Sequence, residues 1–379
     1  MKIAFNARLL SDPSLRGWNR YTVNLIRGLA ELGVDPVLFC ISPVHESHLE
    51  KIGIPVKVIA SGPMRVMRWE QRWFPRAAIG EKADLIHATT NFGLPVLPCK
   101  LPRVLTMHDA IDKLYSRPNL SLRQCLSMGA IQCEAMIYSS LKVADRVITV
   151  SEHAKQDIAK AYRIPLSRIR VTYEAADPVF HDNKGLLKDE GENKVDSRQP
   201  YFFYVGGWEG RKNVPFLVEA FSKVKSKTSR LVLAGGSESQ KREIDGLAQR
   251  LGVQDRVLLL GKITDQELAD YYRGALAFVY PSAYEGFGLQ LCEAMVFGTP
   301  ILSSDRTSLP EILGDGGEIF SLASDDELVA LMNRVLLDPE FQRSLQTRSS
   351  MRGRDYSWAQ CAESTKHVYH ELIDGKFKK

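Results

Sequence analysis

Residues 281–300, PSAYEGFGLQLCEAMVFGTP, hold the densest chemistry in the chain. A β-rich run, LAFVY, leads through Gly286, Phe287 and Gly288 into a helical pattern that opens at Leu289. Backbone N–H groups at such a turn, with a helix dipole behind them, make an anion site suited to a diphosphate. Glu285 lies in the turn and Glu293 on the helix, and eight helical residues rise about 12 Å. That is the scale of a nucleotide-sugar from its sugar to its ribose. Carboxylates pair well with vicinal hydroxyls, which both sugars offer. Two glutamates alone would also describe solvated side chains on an ordinary strand–turn–helix; the surrounding string makes the spacing informative.

Other residues could share that work. Gly206 and Gly207 follow the run YFFYV, and Arg211 and Lys212 come next, two cations that could neutralise phosphate or simply open a solvated helix. His108 and Asp109 end a strand pattern, LTM, and His87 ends another, LI. A lone histidine at a strand end is as readily a satisfied core residue, so His87 stays open between the two. Asp109 stays open between chemistry and hydrogen bonding within its own loop.

The elements that must carry these residues alternate. Strands are expected at 2–7, 36–41, 54–59, 85–89, 103–107, 146–151 and 169–173, with helical patterns between them, as at 19–32 and 121–143. After a charged stretch at 181–199, strands resume at 201–205, 230–234, 256–260 and 276–280. Helices are expected at 213–226, 238–251, 265–274, 288–297 and 325–337. Strands alternating with helices predict parallel sheets covered on both faces. The expectation is an α/β chain of two doubly wound domains: 1–180, a linker at 181–199, and 200–355. A last amphipathic helix, 356–379, would cap the second domain or return to the first. Such sheets bind ligands beyond the carboxyl ends of their strands, and a cleft between two domains is a preferred small-molecule site.

The 379 residues, 44% apolar and 25% charged, exclude disorder as the main state. No apolar run approaches the roughly 20 residues of a spanning helix. The N-terminus lacks the core and cleavage site of a signal peptide. The six cysteines form no Cys-x-x-Cys pair and suit reduced thiols in a cytoplasmic protein. The net charge of +5 is uneven: residues 1–180 hold 24 Lys/Arg against 16 Asp/Glu (+8), and the remainder 26 against 29 (−3). The segment 63–76, PMRVMRWEQRWFPR, places Arg65, Arg68, Arg72 and Arg76 on one helical stripe. It reads as a helix with its aromatic side in the core, as a contact with anionic membrane at the inner face, or as an acceptor groove. His45/His48 and His367/His370 lack companion zinc ligands. No Asp-x-Asp clamp, nucleic-acid signature or nicotinamide-type glycine motif is present.

The whole string S-x-x-E-G-F-G-L-x-x-x-E-A-M-x-x-G-x-P resembles the signature of the family 4 retaining glycosyltransferases, which have the GT-B fold of two Rossmann-like domains facing across a cleft. Further similarities are Arg16–Tyr21 (RGWNRY) to the N-terminal glycine loop, His87, the pair His108–Asp109, and Val150-Ser151-Glu152. The segment from Gly206 to Arg211-Lys212-Asn213 and the closing S-W-x-x-x-A-E-x-T helix complete them. The resemblance implies transfer of a hexose from a nucleotide diphosphate sugar, GDP-mannose favoured slightly over a UDP-hexose, to a glycan or lipid-linked acceptor, with retention and without a metal or other cofactor. An epimerase or hydrolase on the same fold, or a non-catalytic sugar-nucleotide binder, is the alternative.

The resemblance also implies roles. Arg211 and Lys212 would stabilise the departing diphosphate, with Gly286, Phe287 and the Gly288 and Leu289 N–H groups beside it. Glu293 would hold the ribose and Glu285 the donor sugar, with His108 orienting it. Gly17, Gly206 and Gly207 would admit the diphosphate closely, and Trp18 and Asp109 would face the acceptor. Three departures stand out: Gly207 where relatives carry Arg, Trp18 where a small aliphatic residue is common, and Y-E-A-A-D at 173–177 in place of P-N-G-V-D.

Overall fold

A computed structural model of the chain describes residues 1–13, 17–116, 127–182 and 199–375. They form two compact units, Met1–Glu174 with Ser357–Lys379, and Ala175–Tyr356. The short helix Pro178–Asp182, placed by the sequence in the first domain, packs in the second unit, against helices Asp265–Gly274 and Leu289–Val296. Most of the expected linker, 183–198, lies outside the described residues, as does Arg16.

Among the described residues the first unit holds seven parallel strands: β1 Lys2–Asn6, β2 Asp35–Cys40, β3 Lys57–Ala60, β4 Leu85–Ala88, β5 Arg103–Thr106, β6 Arg146–Thr149 and β7 Ile169–Val171. Their order is β3-β2-β1-β4-β5-β6-β7. The second holds six: β8 Tyr201–Gly206, β9 Arg230–Gly235, β10 Val257–Gly261, β11 Ala277–Tyr280, β12 Ile301–Ser304 and β13 Glu318–Phe320. Their order is β10-β9-β8-β11-β12-β13. β4, β6, β11 and β12 are buried at every residue, as central strands covered on both faces must be. Strand order reverses between β1 and β4, and again between β8 and β11. At such a switch point the flanking connections run to opposite faces and leave a crevice at the strands' carboxyl ends.

β12 and β13 were not expected. Ile301-Leu302-Ser303-Ser304 shows no alternation, because both its faces are covered, and Glu318–Phe320 is only three residues long. The helix Pro339–Arg352 has sparse apolar positions and offers no amphipathic pattern in the sequence.

The closing helix, Trp358–Ile373, belongs to the first unit. It packs on the helix Gly17–Glu31, where a Cβ at Gly28 would lie 2.9 Å from the Ala362 Cβ. Lys366 donates to the Leu32 carbonyl at 3.1 Å and ties off that helix's C-terminal end. In 63–76 the chain is helical from Val66, with a π-turn at Trp69–Trp73 before the helix Phe74–Gly80. Trp69 is fully buried, stacks on Phe74 at 5.0 Å and donates its indole N–H to the Cys40 carbonyl. The aromatic side therefore belongs to the core, while Arg65, Arg68, Arg72 and Arg76 are exposed.

Candidate active site

In the second unit the switch point gathers the loops after β8 and β11. The β8 loop carries Gly206, Gly207 and a single 3-10 turn, Gly210–Lys212, which sets Arg211 and Lys212 side by side. The β11 loop runs from Pro281 to Gly288 and opens the helix Leu289–Val296. Backbone and side-chain bonds lock the two loops together. Ala283 N–H donates to the Arg211 carbonyl at 2.7 Å, and the Arg211 guanidinium donates to the Tyr284 carbonyl at 3.2 Å.

Glu285 is the centre of this arrangement. Its Oε1 accepts from Lys212 Nζ at 2.6 Å, from the Tyr280 hydroxyl at 3.1 Å and from the Ser282 hydroxyl, and its Oε2 accepts from Arg211 at 3.0 Å. Lys212 also donates to the Tyr280 oxygen at 2.8 Å. Thr307 accepts from the Glu285 N–H, and Ser308 donates to the carbonyls of Glu285 and Phe287. The turn is thus held by its neighbours before any ligand arrives, which is the preorganisation an electrostatic site requires.

Burial and charge compete here. Burial, with repulsion from Arg211 added, lowers the Lys212 ammonium below its ordinary range despite the attraction of Glu285. Burial pulls Glu285 upward, but Lys212 and Arg211 outweigh it and hold the carboxyl below its ordinary value. The two groups sustain each other's charge.

Gly288 adopts φ +100, and a Cβ there would lie 2.7 Å from Leu309 Cδ2. Leu289 then begins the helix and Phe287 is buried edge-on to Tyr356. Glu293, 4% exposed, accepts from the Tyr272 hydroxyl at 3.0 Å. On the β8 side a Cβ at Gly235 would fall 2.0 Å from the Gly206 carbonyl oxygen, so the two strand ends meet backbone to backbone. Gly207 lies under the Glu209 carboxylate, whose oxygen would be 2.3 Å from an added Cβ.

In the first unit the corresponding edge carries the histidines. His108 follows β5; its ring contacts Glu174 Oε1 through Nδ1 at 3.1 Å and the Thr89 carbonyl through Nε2 at 3.1 Å. Both partners offer acceptor oxygens, an arrangement that favours the protonated ring. Burial pulls its pKa down, but Glu174 and the carbonyl outweigh that and raise it. Trp18, half-buried, stacks near the ring at 6.3 Å, and Tyr21 meets it edge-on at 4.7 Å. Asp109 caps its own turn by accepting from the Ile111 N–H. Gly17 opens the helix Gly17–Glu31 with open space where a Cβ would stand.

His87 has a structural place. It is fully buried between the Tyr369 hydroxyl at 2.7 Å and the Thr106 hydroxyl at 2.8 Å, and burial pushes its pKa down to about 3. Among the described residues, no three His, Cys, Asp or Glu side chains group closely enough to hold a metal ion.

The structure thus joins Arg211, Lys212 and Glu285 directly. Ser282, the first residue of the S-x-x-E string, and Tyr280 join that cluster through Glu285, and Tyr272 holds Glu293; neither tyrosine has a distinctive spacing in the sequence. Glu174 was visible only as a departure in Y-E-A-A-D; its role as the partner of His108 needed the fold.

Residues 15–180 match the Glycosyltransferase Family 4 model and residues 187–351 the Glycosyl transferases group 1 model. The MMP alpha-(1->4)-mannosyltransferase of Mycolicibacterium hassiacum is 38% identical over 76% of this chain and 71% of that one. This chain is a family 4, group 1 glycosyltransferase. The O-antigen chain mannosyltransferase B of Escherichia coli is 29% identical to this glycosyltransferase over 98% of the chain and all of its own length. The sucrose-phosphate synthase of Thermosynechococcus elongatus shares the fold, with a TM-score of 0.77 at 21% identity over 99% of both chains. So does HepE of Anabaena, solved in complex with UDP and glucose, with a TM-score of 0.74 at 16% identity over 97% of this chain and 99% of that one. The fold of this glycosyltransferase is therefore GT-B.

Proposed function

We propose that this glycosyltransferase moves a mannosyl group from a nucleotide diphosphate sugar, GDP-mannose for preference, to a hydroxyl of a glycan or lipid-linked acceptor, with retention and without a metal. The observation that carries the reading is the Arg211–Lys212–Glu285 cluster at the carboxyl edge of β8 and β11. The mannosyltransferase names of its relatives support the sugar.

In this reading the diphosphate lies against the turn Gly286–Gly288, with Gly206 and Gly207 opposite. Lys212 uses two of its three N–H groups on Tyr280 and Glu285, and the third serves the leaving phosphate. Negative charge grows on the phosphate oxygen as the glycosidic bond breaks. Cations already fixed in place stabilise that charge without reorganising. The departing oxygen then takes the acceptor's proton as the acceptor attacks the same face. Glu293 holds the ribose and Glu285 the sugar hydroxyls. The charge a metal would supply comes from Arg211, Lys212 and the helix N-terminus.

The test is a thermal-shift screen of GDP, UDP and their sugars, because a bound ligand raises stability by mass action. GDP-mannose is expected to give the largest shift, and Glu293→Ala to remove it. Product analysis with an acceptor should then show an α-linked mannoside in the presence of EDTA. A shift untouched by Glu293→Ala, or activity that returns only with magnesium, would overturn the corresponding part of the reading.

A further inference from the structure

Away from the switch-point edge, the first unit contains a cavity of about 590 Å³ between the helix Met128–Val143 and the end of the helix Glu152–Tyr162. Lys113, Lys142, Lys160, Arg163 and Arg168 line it, with no carboxylate among its described lining residues. A second cavity of about 820 Å³ shares Lys142 and Arg168 with it and adds Lys100, Arg103, Asp145 and Arg146, the last paired with Glu371 at 3.2 Å. Arg103 and Arg146 open β5 and β6, so this basic trough reaches the amino-terminal edge of the sheet, opposite the edge that carries His108.

Some of these cations have internal duties. Arg168 donates to the carbonyls of Leu141 and Ala144, and Lys113 pairs with Glu134 at 2.9 Å. Lys142, Lys160 and Arg163 enter no ion pair among the described residues. Like charges gathered without counter-charge repel, so the cluster invites an external anion. Arg163 also ends its helix in the left-handed region, at φ +54, where glycine is the ordinary residue. A long cation therefore stands at a position that backbone preference alone would give to glycine.

The neighbouring helix adds a second observation. Met128, Ile131, Ala135, Tyr138 and Lys142 recur at spacings of three and four and form its solvent-facing stripe. Met128 is 81% exposed, Ile131 48% and Tyr138 50%. The stripe ends in the cavity wall, since Tyr138 and Lys142 line it. An apolar lane running into a cationic pocket complements a molecule with an anionic head and an apolar chain. A soluble phosphate would use the pocket and leave the lane unexplained. The segment 65–76 is a poorer match: it exposes arginines, but Trp69 is turned into the core.

We propose that the first unit binds the phosphate headgroup of an anionic lipid in this pocket, with Met128, Ile131 and Tyr138 lying among the acyl chains at the bilayer surface. This proposal is independent of the donor and acceptor assigned above.

The test is co-sedimentation of the full chain with vesicles of phosphatidylcholine alone or with phosphatidylglycerol, alongside calorimetry with inorganic pyrophosphate. The wild type should sediment only with the anionic vesicles. A basic side chain near an anionic surface strengthens binding roughly fivefold. The triple variant Lys142→Gln, Lys160→Gln, Arg163→Gln should therefore lose on the order of 100-fold in partitioning. Ile131→Ser with Tyr138→Ser should lose roughly tenfold. Both variants should keep the wild-type melting temperature and the nucleotide-induced shift, which excludes misfolding. Arg65→Gln with Arg72→Gln should leave sedimentation little changed. Wild-type sedimentation by the triple variant, or an equal loss in the Arg65/Arg72 variant, would overturn the proposal. So would pyrophosphate binding lost in the triple variant while vesicles are ignored, which would make the pocket a soluble-anion site.

Discussion

Glu285→Gln tests the electrostatic account of the second unit most directly. Glu285 is 7% exposed and Lys212 5%, with 2.6 Å between Nζ and Oε1. Glutamine keeps the shape and one acceptor oxygen but leaves Lys212 buried without its counter-charge. Removing one partner of a buried pair costs about 3–5 kcal/mol. Lys212 can limit the damage by releasing its proton, which from an ordinary value of 10.5 costs about 5 kcal/mol at pH 7. The two routes agree, so the second unit should lose about 3–5 kcal/mol, a fall of roughly 6–20 °C in melting temperature for its size. The pH dependence distinguishes this cause from a packing defect. In the variant, the folded state binds fewer protons at Lys212 than the unfolded state, so its stability deficit should shrink as pH rises from 7 toward 10. In the wild type, Glu285 has a folded value below its ordinary 4.5, so its contribution is full above 4.5 and lost as pH falls through the lowered value. Thermal melts followed by circular dichroism across that range provide the readout. A melting temperature within about 2 °C of wild type at pH 7, or a deficit that does not vary with pH, would refute the coupled-charge reasoning.

Other consequences are as specific. His87, held near 3 against an ordinary 6.5, should cost the fold about 1.4 kcal/mol per pH unit as pH falls below 6.5, and His87→Gln should flatten that slope in acid unfolding curves. His108 is raised instead, so its pairing with Glu174 stabilises fully below 6.5 and fades as pH rises through the raised value. Glu174→Gln should shift the His108 titration downward by NMR; an unmoved titration would remove Glu174 as the cause. Gly288→Ala, at φ +100 and 2.7 Å from Leu309, should cost about 1–3 kcal/mol in urea unfolding and weaken nucleotide-induced shifts.

Much of the architecture was legible from period and punctuation. The expected strand KIAFNA and the helix at 265–274 appear within a residue or not displaced at all: the strand is an apolar run, Ile3 to Phe5, between polar Lys2 and Asn6, and the helix is amphipathic between its cap and Gly274. Thr264 caps the latter helix by the capping box that T-D-Q-E spells. β12 is harder to read than the equally buried β4, β6 and β11 because only two apolar residues, Ile301 and Leu302, precede Ser303 and Ser304.

The sequence by itself determined the local devices of this glycosyltransferase. Glycines at 286 and 288, a helix starting at Leu289 and adjacent cations at 211 and 212 follow from near-neighbour sterics and hydrogen bonding, which act over a few residues. Only the tertiary structure decided which charges meet. Lys212 and Glu285 are 73 residues apart in the chain, and parallel β8 and β11, adjacent in the sheet, bring their loops together. The same holds for the two histidines, which look alike at the ends of their strand patterns. His87 is enclosed by hydroxyls in the core, where burial pushes its pKa down to about 3, while His108 meets the Glu174 carboxylate, which raises its pKa. A histidine's charge depends on the groups within a few ångströms of its ring, and folding supplies those groups from distant parts of the chain.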